Sequence, residues 1–239
     1  MNKVAFQQIT LITDGTSNYG ISPIEAAGQA LKNHITVNVI GITDQGKIGE
    51  RGKSEIERTA LAGGGVSYIV PLEHIAKTVQ MVTRQAMNKT IQQVIHRQLI
   101  EIIGNHDVTQ LPPAKRVEVA HMADHLSEFS DLKILLLIDQ SASMINKMKK
   151  VGEAILDFQL SLSSRSGGSL VSIAAFPGTH HFIDVKIPWT NQISQIHHIL
   201  GQIHPKGNTP TGPAIQACIE YFNSENQNRN TGVLDEYVL

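Results

Sequence analysis

The sequence predicts an α/β fold: a doubly wound, mostly parallel sheet with an inserted helical hairpin. Three observations carry that prediction. β-branched apolar runs alternate with amphipathic helical segments through residues 1–87, which implies βαβ units. The same alternation resumes at residue 132. Residues 88–131 between them show helical periodicity only, split by Pro112-Pro113.

The elements follow in order. QITLITD is a short apolar strand, and SPIEAAGQALKN a helix with Ser22 at the N-cap and Pro23 at the first helical position. ITVNVIGI is β-branched and bounded by turn residues. GKSEIERTALA is a short helix, and GGGVSYIV a strand behind a glycine turn. LEHIAKTVQMVTRQAM aligns Leu72, Ile75, Val79 and Val82 on one helical face. The next segment aligns Ile91, Val94, Ile95, Leu99 and Ile102, and the one after Pro113 aligns Val119, Met122, Ala123, Leu126 and Phe129. Such stripes serve either the domain's own core or a partner; packing into the core is the commoner use. LKILLLIDQSASM is a strongly apolar strand ending in an acid and hydroxyls. A helix follows with Met148, Val151, Ile155, Phe158 and Leu162 inward. SLVSIAAFPG and HFIDVKIPWT read as strands, QISQIHHILGQI as a helix, and GNTPTGPAIQACIEYF as a loop feeding a helix; residues 224–239 are read as a tail.

Composition narrows the function. The chain has 239 residues, 41% hydrophobic and 17% charged, with a formal net charge of −1, which points to neither nucleic acid nor an anionic membrane. No run approaches the roughly 18 apolar residues of a membrane span, and the N-terminal segment, interrupted by Gln7 and Gln8, is not a signal peptide. Cys218 is the only cysteine, so no internal disulfide forms and a reducing, cytoplasmic setting is expected. Aromatics make up 5% of the chain and form no base-stacking cluster. His180-His181 and His197-His198 belong to no metal-ligand spacing and read as ordinary histidines.

Asp139, Ser141 and Ser143 form D-x-S-x-S at the end of a buried strand. In an extended loop alternate residues face one way, so a carboxylate and two hydroxyls converge. Hard oxygen donors of this kind suit Mg²⁺ or Mn²⁺ rather than zinc. Small polar residues capping a strand-to-helix loop are the plainer reading of the same five residues. Two further loops change the balance: GNTPTG carries Thr209, and ITDGTS carries Asp14.

Together the three loops resemble the metal-ion-dependent adhesion site of von Willebrand factor type A domains, whose motifs are D-x-S-x-S, a threonine in a G-x-T-like loop, and an aspartate in a strand ending T-D-G. The resemblance covers about residues 5–87 and 132–223, and PWT and ALAGGG also look like family features. It implies Asp139, Ser141, Ser143, Thr209 and Asp14 as the metal set. Ala142 and Ile145 stand where many bacterial members carry glycine. The order of the halves departs from the family, in which D-x-S-x-S comes first. Residues 1–87 therefore resemble the family's C-terminal half, 132–223 its N-terminal half, and 88–131 a helical connector. The arrangement resembles circularly permuted domains of spore-forming Gram-positive bacteria. A doubly wound sheet allows this, because cutting at the switch point leaves two compact units whose carboxyl edges still meet.

The resemblance implies a protein-binding module rather than an enzyme, with the metal capturing an Asp or Glu of a partner protein. A hydrolase or phosphotransferase using Asp139 or Ser141 as nucleophile is the alternative class. The sequence has no G-x-S-x-G elbow, no phosphate-binding loop and no histidine adjoining the serines. A scaffold that no longer uses its metal is a third reading. The halves are expected to close within one chain as a monomer, with a domain-swapped dimer as the alternative.

Overall fold

A computed structural model describes residues 5–43, 49–103, 112–191 and 207–234; among these, side chains are described except at residues 5, 94–103 and 225–234. Six strands form one sheet in the order β3-β2-β1-β4-β5-β6. They are β1 (Ala5–Thr13), β2 (Ile35–Thr43), β3 (Gly64–Pro71), β4 (Asp131–Asp139), β5 (Ser169–Phe176) and β6 (Asp184–Thr190). All neighbours pair in parallel except β6, which runs antiparallel along β5.

The helices are α1 (Pro23–Lys32), α2 (Glu50–Ala62), α3 (Ile75–Ile103), α4 (Pro113–Phe129), α5 (Met148–Ser163) and α6 (Thr211–Leu234). Ser22 caps α1, accepting a hydrogen bond from the Ile24 amide with Pro23 at the first position, as the sequence predicts.

Period-two alternation sorts side chains to the two sheet faces. Leu132, Ile134, Leu136 and Ile138 of β4 join Val79 and Val82 of α3 and Val151, Ile155 and Phe158 of α5 in one core. Leu135 and Leu137 face the opposite way, toward Ala26 and Ala30 of α1, Ile56 of α2 and Ile215 and Phe222 of α6. Helices on both faces of the central strands leave both sides of β4 in apolar cores, which is why residues 134–138 read as an unbroken apolar run. Asn38 is a buried polar exception on β2. Its amide donates to Gln8 Oε1 (3.1 Å) and its oxygen accepts from the Val66 amide (3.1 Å), lacing β1, β2 and β3 together.

The connector differs in one respect from the sequence division. The boundary between residues 87 and 88 falls inside α3, a continuous helix whose buried residues run from Ile75 through Val79, Val82 and Met87 to Ile91. No proline or glycine interrupts it, and each added residue gains a hydrogen bond without a new nucleation cost. Val94, Ile95, Leu99 and Ile102 lie outside the described side chains. Helix α4 folds back so that Val119, Ala123 and Leu126 pack on the core shared by α3 and α5, while Met122 and Phe129 are exposed. Arg165 fastens it, donating to the carbonyls of Ser127 (3.1 Å) and Ser130 (2.9 Å). At the other end of the chain, α6 continues to Leu234, so most of the segment read as a tail is helical. The helix expected over QISQIHHILGQI lies outside the described residues.

Candidate functional site

Register brings the distant loops together. β1 and β4 lie side by side, with Ile12 opposite Ile138, so Thr13 and Asp139 end at the same sheet edge. From that pair the sheet extends to β2 and β3 on one side and to β5 and β6 on the other. This is the switch point of a doubly wound sheet, where the loops part and leave a crevice.

Asp139 is fully buried, and both of its oxygens are held. One accepts from the Ser141 amide (2.7 Å) and the other from the Thr13 hydroxyl (2.6 Å). Burial pushes its carboxyl above the usual range, opposed by the bonds from Thr13 and Ser141, while the charge of Asp14 raises it further. The Ser141 and Ser143 hydroxyls lie 3.1 Å apart, and Ser143 donates to Asp14 Oδ1 at 2.7 Å. Lys147, at the start of α5, closes the cluster: its ammonium lies 2.5 Å from Asp14 Oδ2 and 3.0 Å from the Ser143 carbonyl oxygen. The Asp14 and Lys147 side chains are each 4% exposed. Gln140 pins the loop to β5, its backbone amide donating to the Phe176 carbonyl at 2.7 Å and its side chain to that of Pro177.

The third loop is tied to the first through backbone. The Thr209 amide donates to Asn18 Oδ1 (2.9 Å), and the Asn18 amide donates to the Thr209 carbonyl (3.2 Å). Two glycines permit the approach. Gly20 has φ +81° with Pro213 against its α-carbon, and a Cβ on Gly212 would lie 1.9 Å from the Ile21 carbonyl oxygen. Glu55 of α2 holds the acidic loop from behind by accepting from the Ser17 amide (2.7 Å). All five residues read from the sequence thus lie on three adjoining loops. Asp14, Ser141 and Ser143 meet side chain to side chain, Asp139 stands behind them, and Thr209 joins through its neighbour Asn18.

A family model for the von Willebrand factor type A domain matches residues 134–234. The chain is 39% identical to "Uncharacterized protein YabS" of Bacillus subtilis over 237 residues, covering 99% of this chain and 97% of that one. The chain belongs to the von Willebrand factor type A family. A crystal structure of an uncharacterized protein from Alicyclobacillus acidocaldarius is similar throughout, with 38% identity, a TM-score of 0.86 and coverage of 94% of this chain and 96% of that one.

Two residues of this cluster escaped the sequence reading. Thr13 holds the buried Asp139 oxygen; its signal was its place immediately before Asp14 in the T-D-G run. Lys147 is the other, set apart from its neighbouring lysines only by its contacts with Asp14 and Ser143. Among the described residues no group of three or more His, Cys, Asp or Glu side chains gathers. The oxygens assembled here are mainly hydroxyls and two carboxylates, a hard set unlike a zinc site.

Proposed function

We propose that this type A domain is a circularly permuted, Mg²⁺- or Mn²⁺-dependent module that binds an acidic side chain of a partner protein. The observation that carries it is the spacing of Ser141 Oγ, Ser143 Oγ and Asp14 Oδ1, at 3.1 and 2.7 Å. Adjacent oxygens around Mg²⁺ lie about 3 Å apart, given bonds of roughly 2.0–2.1 Å at right angles. Asp14, Ser141 and Ser143 would hold the ion directly, with Thr209 nearby and Asp139, its oxygens already engaged, acting from behind. A divalent ion held largely by neutral hydroxyls stays short of negative charge and can take a partner's carboxylate.

Two features support binding over catalysis. Asp139 is fully buried with both oxygens occupied, which suits an orienting group and not an attacking one. Beside Thr209 opens a cleft of about 720 Å³ lined by Tyr19, His180, Phe182, Asn208 and Pro210. Exposed Tyr19 and Phe182 give a partner apolar contact area next to the carboxylate position.

Calorimetric titration is expected to show saturable Mg²⁺ binding that Ser143→Ala weakens by at least about tenfold, since even outer partners of a metal site cost that much. A protein retained by the immobilised domain in Mg²⁺ is expected to be released by chelator and missed by the variant. Absence of saturable binding of either ion at millimolar concentration would overturn the reading.

We also infer that the halves close within one chain. Helix α4 returns onto the shared core, and the Asp14–Ser143 bond joins residues 129 apart within a single chain. Closure of this kind benefits from an effective concentration near the millimolar range. Light scattering over a hundredfold dilution is expected to give the monomer mass throughout; a dimer persisting at low micromolar concentration would refute it.

A further inference from the structure

We propose that Lys147 is a built-in cation that holds the metal-free site together and competes with the divalent ion for Asp14. The inference rests on the metal-site reading above and concerns how that site is regulated. Two carboxylates, Asp14 and Asp139, lie close enough for the charge of one to raise the proton affinity of the other. Like charges withdrawn from water repel strongly and need a compensating cation. The Lys147 ammonium supplies it, 2.5 Å from Asp14 Oδ2, with both side chains 4% exposed. A second bond, to the Ser143 carbonyl oxygen at 3.0 Å, positions the ammonium beside the hydroxyl that would ligate the ion.

Asp14 uses one oxygen for Ser143 and the other for Lys147. A divalent ion placed against Asp14, Ser141 and Ser143 would therefore face a monovalent charge on the same carboxylate. Either the ammonium leaves Asp14 or the two cations stand a few ångströms apart. Both cost binding free energy, so Lys147 lowers metal affinity while keeping the empty site folded. The device makes the domain's competence for an acidic partner depend on divalent-ion concentration, because the weaker the intrinsic affinity, the higher the concentration at which exchange occurs.

Lys147→Met keeps the length and bulk of the side chain and removes the charge. Calorimetry on the full chain is expected to show Mg²⁺ binding tightened by about ten- to a hundredfold, the scale of removing one near charge from a partly dry site. Thermal unfolding of the same variant is expected to show a lower midpoint in chelator and a larger Mg²⁺-induced rise than the parent. Should the variant fail to fold in chelator, folding restored by millimolar Mg²⁺ is itself the expected result. On the unmodified protein, the Lys147 Cε resonance is expected to move during Mg²⁺ titration with the midpoint seen by calorimetry. Equal affinities in parent and variant, or a Cε resonance indifferent to the ion, would overturn the role of Lys147 and leave the site reading intact. No Mg²⁺ binding by either protein would overturn both.

Discussion

Deletion of residues 1–20 is expected to abolish both cooperative folding and Mg²⁺ binding, although D-x-S-x-S remains in the chain. β1 lies between β2 and β4, so its removal strips two ladders at once and leaves two unpaired edges in the middle of the molecule. Phe6, Ile9, Leu11 and Ile12 are all buried. At about 1.5–3 kcal/mol each, their loss equals or exceeds much of a domain's whole stability of roughly 5–15 kcal/mol. Thr13 and Asp14 leave with them, taking the bond to Asp139 and the bond from Ser143. Circular dichroism and calorimetry check this together. A cooperative melt with undiminished Mg²⁺ affinity in the truncated chain would show that the two halves do not share a site.

Asp139→Asn is expected to act in opposite directions on the metal-free and metal-bound protein. Burial raises the folded-state proton affinity of Asp139 above its unfolded value, despite the bonds from Thr13 and Ser141. The native state then binds the proton more tightly, so the fold loses stability as pH rises from the ordinary aspartate range through the raised folded value. Asparagine carries no charge to desolvate and can keep both contacts. Its oxygen accepts from the Ser141 amide, and its amide donates to Thr13 Oγ1 once that hydroxyl turns to the Gly15 carbonyl, 3.4 Å away. In chelator at neutral pH the variant is expected to melt a few degrees higher, since about 1 kcal/mol moves the midpoint by roughly 2–4 °C at this chain length. It is also expected to lose nearly all of the Mg²⁺-induced rise, because a carboxylate supporting the ion has gone. Paired melts in EDTA and in Mg²⁺ between pH 5 and pH 8 provide the check. A lower midpoint in EDTA, or an unchanged response to Mg²⁺, would contradict this account of Asp139.

Much of the site was legible because its chemistry is local. D-x-S-x-S places alternate oxygens on one side of an extended loop whatever surrounds it, and a strand that ends in polar residues ends at an edge. Lys147 was not legible in the same way. Nothing in MINKMKK distinguishes it from Lys149 and Lys150, which are exposed, whereas Lys147 is buried. Its role depends on Asp14, 133 residues away, and no local pattern encodes a contact at that distance.

The sequence by itself determined the alternation of strands and helices, the apolar stripes of α3 and α5, and the loops that carry hydroxyls and carboxylates. All of these follow from side-chain period, capping and glycine or proline placement, which act over one or two turns of chain. Only the tertiary structure decided that β1 pairs with β4 in the register that sets Thr13 beside Asp139. It also decided that α4 packs on this chain's own core through Val119, Ala123 and Leu126 while Met122 and Phe129 stay exposed. The stripe of α4 would suit a partner as well as the domain itself, since burying apolar area is favourable without specifying what covers it. That choice was made by the surfaces of α3 and α5, and by Arg165 reaching the carbonyls of Ser127 and Ser130.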